Sequence, residues 1–175
     1  MRTMAKIGVV LAVVLVGLRG LTGCGTNDPL STLGDPNPPT LDTIFSGSGL
    51  TASGNGFSST HQYWELFTLN FYGSNVLAPA KGLVSSLGLD ATTGTSYVTI
   101  AHAGRLSTRI AGIVPTVRSG DTVVSGQVIG TFVPTGNISF QVLLNGTPVC
   151  PLSFISTNFR SQIWGFTITA GTLCI

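Results

Sequence analysis

The chain has 175 residues, of which 43% are hydrophobic and 8% are charged, which is enough for one domain and short for two. Eight basic residues against six acidic ones give a formal charge of +2. Three of the basic residues, Arg2, Lys6 and Arg19, lie in the first 23 positions, so five basic and six acidic residues remain beyond them. Without a basic surface to neutralise phosphates, this composition argues against nucleic acid as a partner.

The N-terminal segment has the pattern of an export signal. Arg2 and Lys6 precede an unbroken apolar run over residues 7–18. Such a run spans roughly 18 Å as a helix, short of the roughly 30 Å hydrocarbon core, so a permanent transmembrane anchor is disfavoured. The next residues, Leu21-Thr22-Gly23-Cys24, resemble a bacterial lipobox, in which the Cys becomes the lipidated first residue of the mature protein.

This pattern predicts that residues 1–23 are a lipoprotein signal peptide and that acyl chains on Cys24 hold the protein at a membrane. Gly25 stands where an Asp would indicate retention in the inner membrane, so in a bacterium with two membranes we expect the outer membrane, facing the periplasm. Plain secretion and an uncleaved anchor are the alternatives.

A spacer is predicted between the lipobox and the folded part. Residues 25–43 contain four prolines and three aspartates without a basic residue, and residues 46–60 are rich in Gly and Ser. This composition favours an extended, solvated chain over packing. We therefore expect residues 24–60 to be a tether and the globular part to begin near residue 61.

The remaining chain has the pattern of an all-β domain. Short β-branched runs are separated by glycine, and Tyr97 and Thr99 alternate with Val98 and Ile100. Asn145-Gly146 is a turn that joins antiparallel strands, because both residues tolerate positive φ. A β domain is thus predicted over 61–155, followed by a C-terminal β extension over 156–175 that forms a hairpin.

The order of these segments carries a family resemblance over about 80 residues, roughly 73–152. Two motifs are Gly120-Asp121-Thr122-Val123 and Gly126-Gln127-Val128-Ile129-Gly130, and the ending runs from residue 137 to 151. The succession resembles the M23 (LytM, lysostaphin-like) family of peptidoglycan endopeptidases. The resemblance implies an antiparallel β-sandwich or barrel-like duplicated-hybrid-motif domain.

The resemblance also implies a zinc site, and here the sequence departs from the family. M23 enzymes bind zinc through H-x-x-x-D and the second His of H-x-H, and a Y-x-H-L histidine assists catalysis. Here the H-x-H position reads Asn137-Ile138-Ser139, and the Y-x-H-L position has Gly112 in place of histidine. Since a catalytic zinc needs about three protein ligands, we expect Gly112, Asn137 and Ser139 to line a former active-site groove, with Trp64 or Tyr63 nearby.

The H-x-x-x-D position can be matched to His61 and Glu65, which would then be vestigial metal ligands. In the alternative interpretation, both are polar residues near the start of the first strand of the domain. His102 corresponds to a histidine that is not a ligand in the family.

The two cysteines beyond the lipobox, Cys150 and Cys174, are predicted to form a disulfide, because an even pair in an exported protein is usually oxidised. The bond would tie residues 156–175 to the M23-like region. A pair of metal-binding thiols is the alternative, but no Cys-x-x-Cys or nearby His supports it.

Taken together, these patterns predict a cell-envelope lipoprotein whose M23-like domain is catalytically inactive and needs no cofactor. As degenerate LytM domains do, it would bind peptidoglycan or regulate a cell-wall hydrolase. The main alternative is an active zinc endopeptidase with a rearranged metal site. A carrier domain modified at Lys81 and a structural envelope protein unrelated to murein are further alternatives.

Overall fold

A computed structural model describes residues 34–47, 50–68, 70, 74–91, 94–133, 137–168 and 173–174. The predicted signal peptide and Cys24 lie outside this part of the chain. In the described ranges, no helix has both the length and the apolar character needed to cross a membrane.

The described residues form twelve β-strands and one α-helix. In chain order, the elements are β1 (Ala52–Asn55), β2 (Trp64–Thr68), β3 (Asn75–Leu77), β4 (Gly82–Leu89), β5 (Ser96–Ala101), β6 (Leu106–Ala111), β7 (Ile113–Pro115), β8 (Thr122–Val123), β9 (Val128–Phe132), β10 (Asn137–Leu144), β11 (Thr147–Val149), α1 (Thr157–Trp164) and β12 (Thr167–Ile168). Two short 3₁₀ turns cover Ala103–Arg105 and Pro151–Ser153.

The strands form two sheets. The larger has the order β12-β1-β2-β10-β6-β5-β4-β8 with β11 paired to β10, and the smaller has the order β3-β9-β7. The pairings are antiparallel except for β1 with β12. The prediction of an antiparallel β domain is therefore confirmed, although these described strands do not close into a barrel.

The central strand β10 owes its position to alternation. Ile138, Phe140 and Val142 are buried in the core, whereas the residues between them are half-buried and polar. Successive side chains of a strand point to opposite faces, so one face of β10 belongs to the core and the other is left for a polar surface.

Part of the segment predicted as a tether belongs to the fold, and that prediction is wrong from residue 35 onwards, where the Asp35 carbonyl accepts the Gly104 N–H. Leu41, Ile44 and Phe45 are at most 2% exposed. The Leu41 N–H donates to the carbonyl of Phe154, at 2.7 Å, and its carbonyl accepts from Ser156 N–H. Burial of these apolar side chains outweighs the local Pro, Gly and Ser composition.

Contacts between aromatic rings hold residues 41–45 in the core. The Phe45 ring lies within 6.0 Å, between centroids, of the rings of Phe132, Phe159 and Phe166. Such contacts bury large apolar areas and add a favourable edge-to-face geometry. Residues 41–45 and residues 156–166 therefore share one core with the β domain.

The predicted C-terminal hairpin is also wrong, because Thr157–Trp164 forms helix α1. The Ser156 hydroxyl caps the helix by accepting the Phe159 N–H. Phe159 and Ile163, four residues apart, are buried on one face, whereas Trp164 is 69% exposed. Only the short β12 after the helix joins the sheet.

The predicted disulfide between Cys150 and Cys174 is confirmed, with Cα atoms 5.8 Å apart. Its loop of 24 residues corresponds to about 3.5 kcal/mol in the chain-entropy description. Next to it, the Leu173 carbonyl accepts from Phe57 N–H and from the Trp64 indole N–H, at 3.2 and 2.8 Å. The disulfide thus holds the chain end against β2.

Candidate functional site

The polar face of β10, together with the neighbouring strands, forms a cleft of about 160 Å³. Side chains from β2 and the residue before it, from β6 and β10, and from the tip of the β4–β5 hairpin line it. They are Tyr63, Glu65, Asp90, Thr95, Arg109, Ala111, Asn137, Ser139 and Gln141. Two residues of the predicted groove, Asn137 and Ser139, therefore lie in the same cleft as Glu65.

Strand register places these side chains. Ser139 is directly opposite Glu65 on β2 and directly opposite Ala111 on β6. Two residues further along β10, Gln141 is opposite Arg109. Residues that are paired across strands project from the same face, so the small Ser139 and Ala111 leave the space that polar side chains surround.

Glu65 is held by two side-chain amides. The Asn137 Nδ2 donates to Oε1 at 2.5 Å, and the Asn55 Nδ2 donates to Oε2 at 3.1 Å. The His61 Nε2 lies 3.7 Å from Oε2. Only 17% of the Glu65 side chain is exposed, so the amides supply the polar partners that a buried carboxylate requires. The structure therefore brings His61, Glu65 and Asn137 together.

Gly112 belongs to the edge of this site without lining it. Its φ is +83°, and a Cβ added there would lie 2.4 Å from the carbonyl oxygen of Asn137. Its neighbour Ala111 lines the cleft instead. Of the two aromatic residues expected near the groove, Tyr63 lines it, whereas Trp64 is buried in the core on the opposite face of β2.

The residues of the cleft do not fit a catalytic zinc ion. Such a centre takes three ligands from His, Cys, Asp or Glu and keeps a fourth position for water. Across the described ranges, no three such residues are placed to share an ion. Asn137 and Ser139 are neutral oxygen donors, and both Glu65 oxygens already accept amide hydrogen bonds.

The second wall of the cleft is an ion pair that the sequence did not predict. Arg109 donates to Asp90 at 2.9 Å, and its guanidinium lies 3.9 Å from the centroid of the Tyr97 ring. Stacking on the aromatic face and pairing with the carboxylate together fix the guanidinium. Alternation along β6 could have placed Arg109 on the polar face, but nothing local in the sequence indicates its partner Asp90.

Tyr63 is affected both by burial and by the carboxylates of the cleft. Burial raises the pKa of its phenol, and the nearby carboxylates of Glu65 and Asp90 raise the pKa further. Tyr63 therefore stays a neutral phenol near pH 7. Its ring also packs against His61, with centroids 4.1 Å apart.

The region that contains most of the cleft matches a known protein family. The model of peptidase family M23 matches residues 66–151, which include β10 and most of the cleft. Residues 66–151 form an M23-family domain. No curated protein resembles the chain closely enough to count as a match.

Solved structures share the M23 fold. Csd3 from Helicobacter pylori is 24% identical over 69% of this chain and 36% of its own, with a TM-score of 0.54. A putative M23 peptidase from Pseudomonas aeruginosa is 25% identical over 69% of this chain and 53% of its own, with a TM-score of 0.54. A chain of the SpoIIQ–SpoIIIAH pore-forming complex is 19% identical over 78% of this chain and 100% of its own, with a TM-score of 0.55.

These likenesses establish the fold. The chain spans about a third of the length of Csd3 and about half of the Pseudomonas protein. The matched region in this chain is thus a single M23 domain that lacks most of the zinc-site residues implied by the family.

His102 has a structural role outside the cleft. Its ring is 2% exposed, and its Nδ1–H donates to the Lys81 carbonyl while Nε2 accepts from the Thr108 hydroxyl, both at 2.9 Å. A carbonyl can only accept, which fixes this neutral tautomer. Burial lowers the pKa of His102, and the hydrogen bond to Lys81 opposes that change only in part.

Acidification is expected to destabilise the M23 domain through His102. Because its folded pKa lies below the unfolded value of about 6.5, the unfolded state binds the proton more tightly, and stability falls as pH drops below about 6.5. Urea unfolding at pH 7.5, 6.5 and 5.5 should show this decline, and His102→Gln should flatten it relative to His61→Gln. An NMR titration midpoint of His102 at or above 6.5 in the native protein would contradict it.

Any side chain at Gly112 is expected to destabilise the fold more than at a glycine with open surroundings. Gly126 has a similar φ, +77°, but no atom within 4 Å of the added Cβ. Gly126→Ala should cost about 1–2 kcal/mol for the left-handed backbone, whereas Gly112→Ala should cost about 3 kcal/mol or more because it also displaces β10. Urea unfolding of the two variants tests this, and equal losses would refute the steric component.

Proposed function

We propose that this chain is a cell-envelope lipoprotein whose M23 domain binds peptidoglycan without cleaving it. The observation that carries the proposal is the chemistry at the positions that hold a zinc ligand and the catalytic histidines in the family. Asn137 and Ser139 replace the two histidines of H-x-H, of which the second is a zinc ligand, and Gly112 replaces the Y-x-H-L histidine that assists catalysis. The Glu65 carboxylate accepts hydrogen bonds from two amide groups instead. The cleft remains open and polar, as a binding site without catalysis requires.

The size of the cleft favours a wall fragment over a partner hydrolase. A volume of about 160 Å³ suits a short polar chain segment. A stable protein partner covers about 800 Å² of surface on each side, far more than this cleft offers. The pore-forming complex that shares the fold supports a role in protein assembly, so capture of a hydrolase remains the alternative to be tested.

The location follows from the N-terminal pattern. The apolar run over 7–18 and the lipobox that ends at Cys24 support lipidation and display on the outer membrane, facing the periplasm. The disulfide between Cys150 and Cys174 is compatible with that oxidising compartment.

Wall binding should depend on the space above Ser139. Ser139→Tyr is expected to fill the cleft and reduce the protein pulled down with purified sacculi at least about tenfold, because the ligand loses its contacts with the floor. Thr147→Tyr, on an exposed position of β11, is the matched control and should bind like the wild type. Equal pull-down of both variants and the wild type would exclude the cleft as the binding site.

Zinc analysis separates this proposal from a rearranged endopeptidase. An inert binder should carry far less than one zinc per chain and should not clear murein. His61 is the ligand to test, because its buried Nε2 has no hydrogen-bond partner among the described residues. One zinc per chain, lost in His61→Ala but kept in Gln62→Ala, together with murein clearing by the wild type, would instead establish the endopeptidase.

A further inference from the structure

We infer that the cleft recognises a primary ammonium group, as carried by a lysine-like or diamino-acid side chain of a wall peptide. The inference rests on the proposed function, because it names the part of the wall that enters the site. It is drawn from the charges, the free hydrogen-bonding atoms and the size of the cleft.

The charges of the cleft leave one negative charge uncompensated. Its charged lining residues are Glu65, Asp90 and Arg109. Arg109 is paired with Asp90 at 2.9 Å, whereas the partners of Glu65 are the neutral amides of Asn55 and Asn137. His61 adds a positive charge beside Glu65 only when it is protonated. A cationic ligand therefore gains from entering the cleft.

The amide groups offer acceptors to the ligand. Asn137 uses its NH₂ group on Glu65, and Gln141 uses its NH₂ group on the Gln62 carbonyl. Within the described residues, the two amide oxygens have no donor, and the Ser139 hydroxyl lies between them on the same strand face. An alkylammonium carries three donors and no acceptor, so it complements this set.

Tyr63 lies near two carboxylates and presents an aromatic ring to the cleft. Burial raises the pKa of its phenol first, and the carboxylates of Glu65 and Asp90 raise it further. The aromatic face of Tyr63 also offers a cation a favourable surface. An anion such as a phosphate would meet Glu65 and a guanidinium already held by Asp90 and Tyr97.

The volume restricts the ligand to the end of a side chain. Pockets for whole small molecules usually exceed about 300 Å³, about twice the volume of this cleft. An inorganic divalent cation would need about six oxygen ligands, whereas Glu65 is the one carboxylate in the lining of the cleft that is not paired with an arginine. Including a chelator in every binding assay excludes such an ion.

A model amine tests the inference without the wall. Nα-acetyl-lysine methylamide is titrated into the full-length protein in the presence of EDTA and followed by NMR shifts of cleft residues. Binding is expected, and acetylation of the ε-amine should abolish it. Glu65→Gln should weaken binding at least about tenfold, because a charged hydrogen-bonding partner is lost. Asp121→Asn, which removes an exposed carboxylate in the Arg118–Asp121 turn, should leave binding unchanged.

If Glu65→Gln does not fold, the comparison of free and acetylated amine on the wild type decides alone. Equal binding of both probes, or of neither, overturns the inference.

Sacculi treated with acetic anhydride then separate the two proposals. If the protein binds sacculi only before acetylation, the proposed function and the ammonium site are both supported. If it binds them equally after acetylation, the proposed function is supported and the ammonium site is overturned. Absence of binding to untreated sacculi refutes the proposed function.

Discussion

The site depends on the alternation of one strand. Along β10, Ile138, Phe140 and Val142 are buried in the core, so Asn137, Ser139 and Gln141 must face the other way. Because β10 lies between β2 and β6, its outward side chains meet Glu65 on one side and Arg109 on the other. The apolar half of the strand thus fixes the position of the polar half, and a slip by one residue would exchange the two.

The same arrangement explains how the M23 domain accommodates the Glu65 carboxylate in its cleft. A half-buried carboxylate needs partners, and here amide NH₂ groups provide them from β10 and from the end of β1. The Glu65 carboxylate therefore stays in the cleft, held by hydrogen bonds to neutral amides.

The sequence predicted what depends on local pattern. The alternation in β5 and the Asn145-Gly146 turn, where both residues have positive φ, are properties of neighbouring residues. What it missed depends on distant contacts. Phe45 follows a Pro-rich segment and is buried because rings from β9, from α1 and from the residue before β12 pack on it. Asp90, after β4, reaches Arg109 on β6 across the intervening strand β5. The helix does have a local signal in the sequence, namely the Ser156 cap and the spacing of four residues between Phe159 and Ile163. The alternating Trp164 and Phe166 favoured a strand instead.

The early entry of the chain into the fold sets how far the domain can stand from a membrane. The Asp35 carbonyl already accepts the Gly104 N–H, only 11 residues after Cys24. Even fully extended, 11 residues reach about 40 Å, whereas a spacer lasting until residue 61 would reach about 130 Å. A lipid on Cys24, as proposed, would therefore keep the point where the chain enters the domain, at Asp35, within about 40 Å of the bilayer surface.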